Sequence, residues 1–203
     1  MGKDIPWKSD AVSSGRAHFV SGRPIMPPFP EGMETLVVGM GCFWGAEQRF
    51  WETPGVWATA VGYSGGSSPA PDYHEVCTGA TGHAEVVLVV FDPGEITLEA
   101  TLGVFWDNHD PTQGMRQGND MGTQYRSCIF VADETQRTAA VATREAMEPL
   151  LVAAGFGPIT TQVSGREPFH YAEEYHQQYL AKNPAGYCGL GVTGITCPVG
   201  ALD

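Results

Sequence analysis

Cys42 stands in the run Val37-Val38-Gly39-Met40-Gly41-Cys42-Phe43-Trp44-Gly45-Ala46-Glu47, where an apolar strand turns sharply into a helix. A thiol at a helix N-terminus faces unpaired backbone N–H groups that carry partial positive charge and favour its thiolate. Gly41 and Gly45 permit a tight turn and close approach of a ligand, and Phe43 and Trp44 set two apolar rings beside the sulfur. This setting predicts a nucleophile with a lowered pKa, acting on a small, uncharged, partly apolar substrate. Glu47, just downstream, is expected to oppose that lowering.

Thr81-Gly82-His83-Ala84-Glu85 carries a carboxyl group into an apolar strand. If buried, Glu85 would keep its proton and serve as a general acid; on the surface it would be an ordinary solvated glutamate. Tyr73 and Tyr125 offer phenolic hydrogen bonds or simple packing. Cys188 and Cys197 flank a tail punctuated by Gly189, Gly191 and Gly194, a chain able to bring either sulfur to a distant partner or to the other. Their spacing is too long for a zinc knuckle, and no metal site is expected.

Cys77 and Cys128 read as small packed hydrophobes. In Phe169-His170-Tyr171-Ala172-Glu173-Glu174-Tyr175-His176 the two histidines fall on different faces of a helix, so they are expected to be solvated or capping. No phosphate-binding glycine loop, HExxH helix or GxSxG elbow is present.

These groups need a scaffold, and 203 residues with 42% hydrophobic content suffice for one core. A formal charge of −12 argues against nucleic acid or an anionic membrane as partner. Five cysteines are too few for a disulfide framework and odd in number, which favours a reducing compartment. With no apolar leader and no membrane-length segment, the expected location is cytoplasmic.

Pro6, Pro24, Pro27, Pro28 and Pro30 make residues 1–33 an irregular arm, and residues 34–203 a single catalytic domain whose glycine-rich C-terminal tail, about 182–203, is mobile. Within the domain, strands are expected at Thr35 to Met40, Trp57 to Tyr63, Ala84 to Phe91, Arg126 to Ala132 and Ile159 to Val163. Helices are expected at Phe43 to Trp51, Thr97 to Asn108, Glu134 to Ala153 and Ala172 to Leu180, with long loops at Ser64 to Gly82 and Asp110 to Asp120. Strands interleaved with helices in this irregular order favour an α+β or mixed α/β fold over a doubly wound one.

Gly41-Cys42-Phe43-Trp44-Gly45, Gly62-Tyr63-Ser64-Gly65-Gly66, Thr81-Gly82-His83-Ala84-Glu85, Asn108-His109-Asp110-Pro111, Gly114-Met115-Arg116-Gln117-Gly118-Asn119-Asp120 and Gly122-Thr123-Gln124-Tyr125-Arg126-Ser127 together closely resemble the A-type peptide methionine sulfoxide reductases. The resemblance runs from about Glu34 to Cys197 and leaves the arm out. It implies a two-layer α+β sandwich with a central mixed sheet flanked by helices, and a monomeric reductase of the S epimer of methionine sulfoxide, free or in oxidised proteins. By the same resemblance Cys42 is the nucleophile, Phe43 and Trp44 form the methyl pocket, and Glu85 is the acid. Tyr73 and Tyr125 hold the sulfoxide oxygen and Asp120 helps to order the site. Cys188 resolves the sulfenic acid, with Cys77 as a possible substitute. Cys197 then passes the disulfide to thioredoxin or another dithiol, and no bound cofactor is implied. A thiol peroxidase and a Cys/His redox-sensing or metal-binding module are the rival readings.

Overall fold

The structure is a computed structural model that describes residues 7–8 and 17–198. In chain order its elements are β1 (Trp7–Lys8), β2 (Glu34–Met40), α1 (Phe43–Trp51), β3 (Val56–Ser64), α2 (Tyr73–Cys77), β4 (Ala84–Phe91) and α3 (Leu98–Asp107). There follow β5 (Arg116–Gln117), β6 (Asp120–Met121), a 3-10 turn (Thr123–Tyr125), β7 (Ser127–Val131), α4 (Glu134–Ala153), β8 (Gln162–Gly165), β9 (Phe169–Tyr171) and α5 (Tyr179–Lys182). Seven strands form one sheet in the order β1-β9-β3-β4-β2-β7-β8, and β5 pairs with β6 in a separate hairpin. The sheet is mixed: β1–β9 and β7–β8 are parallel, and the inner pairs are antiparallel. The architecture is the expected α+β sandwich.

The central strand explains the layering. β4 reads Ala-Glu-Val-Val-Leu-Val-Val-Phe and is buried at every residue, so both of its faces need covering. Val87, Val89 and Phe91 point with Leu36, Val38 and Met40 into the core formed with α1, α3 and α4. Val86, Leu88 and Val90 point the other way, into a second cluster with Phe130 and Phe169. Among the described residues no helix supplies that second cover; Ile25, Met26, Phe29 and Met33 do, from the proline-rich segment before β2.

Glu85 falls in the same alternating row as Val87 and Val89, so the period of two that buries the valines also turns its carboxyl toward the helices. Because β4 runs antiparallel to β2, Glu85 at the start of one strand lies near the end of the other, where the chain enters α1. The pairing of Tyr63 with Glu85 adds β3 to the same edge.

Several expected boundaries move. The loop predicted at Ser64 to Gly82 contains α2, which a reciprocal capping box between Asp72 and Glu75 starts. The loop predicted at Asp110 to Asp120 folds back as the β5–β6 hairpin. The strand expected at Ile159 to Val163 is shifted to β8, in parallel register with Cys128 to Val131. The helix expected at Ala172 to Leu180 is instead a series of turns followed by α5, because Gln178 adopts a left-handed φ of 48° that helix geometry cannot absorb. β9, three residues long, has too short a pattern to be read in advance.

α3 and α4 are each started by a side-chain cap, Thr97 to the Ala100 N–H and Asp133 to the Gln136 N–H. Between them the fully buried Trp106 indole N–H donates to Thr143 Oγ1 at 3.0 Å. Thr143→Val keeps the volume but leaves that N–H without a partner, so the protein is expected to lose about 1–3 kcal/mol of stability in denaturant titrations.

Candidate active site

Cys42 is the N-cap of α1, and Gly41 before it makes the turn with φ 96°. A Cβ at Gly41 would lie 2.5 Å from Cβ of Gln117, so glycine is required here by conformation and by space. The thiol is buried, 6% exposed. Burial pushes its pKa up, and the nearby Glu85 charge pushes the same way; the N–H groups of Trp44 and Gly45 draw it down by less. The sulfur closes no capping hydrogen bond. The expected lowering by the helix start is therefore overturned, because desolvation outweighs two partial charges at one helix end. The opposing carboxylates are also different ones: Glu85 and, to a smaller degree, Asp120 act on the sulfur, and not Glu47.

Glu85 is 2% exposed, and its Oε2 accepts the Phe43 N–H at 3.0 Å. Burial raises its pKa to about 8 against the single lowering effect of that N–H, with Asp120 adding to the rise. At neutral pH Glu85 thus carries a proton and no charge, which removes most of its repulsion of a thiolate at Cys42. The thiol and the acid meet through Phe43, the residue next to the sulfur.

Aromatic rings enclose the space beyond. Phe43 lies 5.9 Å from the Tyr63 ring and 5.1 Å from His176, and Trp44 stacks on Tyr179 at 3.9 Å. Tyr73 stands 4.5 Å from the His176 ring, and Tyr125 follows on the 3-10 turn. Burial raises the pKa of both phenols, so each remains a hydrogen-bond donor, and Glu85 contributes to both shifts. Arg126 ties the 3-10 turn to the turn that enters β4, donating to the carbonyls of Thr123 and Gly82 at 2.8 and 3.0 Å.

His176 and Glu173 are the residues that sequence reasoning missed. His176 is 1% exposed rather than solvated, and Nδ1 accepts the Trp44 indole N–H at 3.0 Å. Burial lowers its pKa to about 4, and the ring is neutral with its proton on Nε2. Glu173 accepts from the Tyr63 hydroxyl and the Tyr73 N–H, both at 2.9 Å. His170 is likewise buried, in β9. Their one sequence signal was the density of aromatic neighbours, which suits a packed wall better than a solvated face.

The glycine-rich tail crosses the same helix. A Cβ at Gly45 would lie 2.7 Å from Cys188 Sγ and 2.9 Å from Leu190 Cγ, and one at Gly118 would lie 2.9 Å from the Gly189 carbonyl oxygen. Tyr187 donates to Asp120 at 3.3 Å. Asp120, whose pKa burial raises, thus lies between the tail and the Cys42–Glu85 pair. Cys188 is exposed, whereas Cys197 is buried, its N–H bonded to Asp107 Oδ1 at 2.6 Å. Cys128 is packed in the sheet as expected, but Cys77 is exposed, since the short α2 turns it outward. Among the described residues no group of three His, Cys, Asp or Glu is gathered as a metal would require.

A thiol and a proton-bearing carboxyl on one apolar pocket, with a further thiol resting on the same helix, define a thiol-dependent oxidoreductase. The sequence profile of the family "Peptide methionine sulfoxide reductase" matches residues 34–196. The peptide methionine sulfoxide reductase MsrA of Azotobacter vinelandii is 60% identical over 194 residues, covering 96% of this chain and 90% of that protein. Methionine sulfoxide reductase A of Corynebacterium diphtheriae superposes with a TM-score of 0.80 at 45% identity, covering 93% of this chain and 95% of that one. Reduced Mxr1 from Saccharomyces cerevisiae gives 0.75 at 34%, covering 81% and 94%. In complex with Trx2, Mxr1 shares the fold at 21% identity with a TM-score of 0.52, covering 81% and 92%. The chain belongs to the A-type peptide methionine sulfoxide reductases.

Glu85 makes the fold sensitive to base. Its carboxyl keeps a proton to about pH 8 when folded and releases it near the ordinary 4.5 when unfolded. Between those values the folded state binds the extra proton, so stability is full at pH 4.5 and below and falls as pH rises toward 8. Glu85→Gln removes this contribution. Thermal midpoints measured at pH 5 and pH 8.5 are expected to drop further in the unaltered protein than in the variant, and an equal drop would contradict a buried, proton-bearing Glu85.

Proposed function

We propose that the protein reduces the S epimer of methionine sulfoxide, free or in oxidised proteins, and is returned to its reduced state by thioredoxin. The observation that carries this reading is Glu85, a buried acid with a pKa near 8 whose Oε2 is 3.0 Å from the N–H of Phe43, next to the Cys42 thiol. A sulfoxide oxygen departs from sulfur only once protonated, and a buried thiolate cannot supply that proton. Glu85 can.

In this reading the substrate methyl group lies against Phe43 and Trp44, and Tyr73 and Tyr125 donate to the sulfoxide oxygen. The Cys42 sulfur attacks the sulfoxide sulfur while Glu85 protonates the oxygen. The thiol proton passes to the Glu85 carboxylate, the oxygen moves from the substrate sulfur to the Cys42 sulfur as the new sulfur–sulfur bond breaks, and methionine leaves reduced by two electrons while Cys42 is left as a sulfenic acid, oxidised by two. The raised Cys42 pKa suits this order: the thiol stays protonated in the resting site and ionises as the sulfoxide takes up positive character. Asp120 orders the pocket from the tail side.

Cys188 then attacks the sulfenic sulfur, forming the Cys42–Cys188 disulfide and releasing water. Its sulfur already lies against Gly45, on the helix that Cys42 caps. Cys197 attacks Cys188 next, Cys42 leaves as thiolate, and thioredoxin reduces the Cys188–Cys197 bridge. Since Cys197 is seated against Asp107, this exchange requires the tail to leave that seat. We assign the protein to the cytoplasm, where thioredoxin keeps thiols reduced. Among the described residues no helix is long and apolar enough to cross a membrane.

Cys197→Ser is expected to reduce one equivalent of sulfoxide per enzyme and then stop under thioredoxin, with a Cys42–Cys188 bridge found by peptide mass mapping. Full thioredoxin-driven turnover in that variant would remove Cys197 from the relay. Gly45→Ala places a methyl group where Cys188 Sγ sits. Rapid quenching of a single turnover is expected to show methionine release near the normal rate and disulfide formation slowed about tenfold or more.

A further inference from the structure

Residues 17–33 precede the segment that the family profile matches, 34–196. Yet His18 is buried to 1% exposure. The N–H groups of Val20 and Ser21 both donate to its Nδ1 at 3.2 Å, so the ring proton resides on Nε2, which meets Thr59 Oγ1 at 2.8 Å. Thr59 donates in turn to Glu47 Oε1 at 3.0 Å. Glu47, fully buried on α1, also accepts the Gln178 N–H at 2.8 Å and the Gln178 side-chain amide at 2.6 Å. Each of these three bonds is donated to Glu47, whose two oxygens accept them.

Gln178 is held from a further side, since its Oε1 accepts the Phe19 N–H at 3.0 Å. A non-glycine residue at φ 48° persists only where its surroundings over-determine it, and here both ends of its amide and its own N–H are bound. The residues beside it build the pocket: His176 accepts from the Trp44 indole, and Tyr179 stacks on Trp44 at an interplanar angle of 17°.

We propose that His18 and Phe19 of the N-terminal arm, with Thr59, Glu47 and Gln178, form a clamp that positions the Trp44 wall of the substrate pocket. The arm is then part of the support of the site as well as a cover for the sheet. The inference rests on the reading of Trp44 as a methyl-pocket residue. None of the clamp side chains touches a reacting atom, so they are positioning residues, and their loss should weaken substrate binding more than chemistry at Cys42 and Glu85.

His18→Phe removes the Nε2 donor at similar bulk, and His18→Gln retains an amide donor. With the full chain, dithiothreitol and N-acetylmethionine sulfoxide, His18→Phe is expected to raise KM about fivefold or more and leave kcat within about twofold, as one lost hydrogen-bond-sized interaction would. His18→Gln should restore KM. Acrylamide quenching assigned to Trp44, by difference from the matching Trp44→Phe proteins, should increase in His18→Phe and return in His18→Gln. A lower melting temperature with unchanged KM and unchanged quenching would overturn the clamp. If His18→Phe does not fold, Thr59→Val interrupts the same chain and carries the same expectations. Absence of sulfoxide turnover in the unaltered protein would refute the assigned reaction instead, and the quenching result alone would then decide the clamp.

Discussion

A carboxyl group on the apolar face of the central strand governs this site. Glu85 occupies a position whose neighbours in the same row are valines, with one backbone N–H as its hydrogen-bonding partner. An ionised carboxylate in that place would need several donors or a cation, and among the described residues the Phe43 N–H is the one donor to it. The proton stays because burial makes its loss expensive, and the same burial keeps the adjacent thiol protonated. Sheet register, the turn at Gly41 and the start of α1 matter chiefly because they bring these two suppressed ionisations together.

The aromatic wall shows how this environment is kept dry. Trp44 is held along its edge by His176 and across its face by Tyr179, while Glu173 ties Tyr63 to the first residue of α2. These partners come from a segment more than a hundred residues later in the chain. The pocket is a long-range construction, and the two aromatic residues beside Cys42 are only its near side.

That distance also marks what the sequence made legible. Cys42, Phe43 and Trp44 declare themselves locally, through a strand, two glycines and a helix start. β4 could be read from its unbroken β-branched run, but whether Glu85 is buried on it could not, since a surface glutamate fits the same sequence. His176, Glu173 and Gln178 could not, because their meaning lies in partners elsewhere and in a left-handed backbone that no local pattern announces. The thiol pKa failed for a related reason: the helix start is visible in sequence, whereas the depth of burial that overrides it is a property of the assembled sheet. Cys77 read as packed because a lone cysteine is most often a small buried hydrophobe, and only the brevity of α2 turns it outward.

β9 inserts between β3 and β1, pairing with residues from both the middle and the beginning of the chain. During synthesis, therefore, the sheet edge beside the pocket stays open until residue 171 has emerged, and the wall behind Trp44 waits for residue 179. A nascent chain carries its Cys42 thiol for most of its elongation without the enclosure that restrains it, and its final turns close the pocket around it. The late C-terminal segment thereby ties reactivity to the completion of folding.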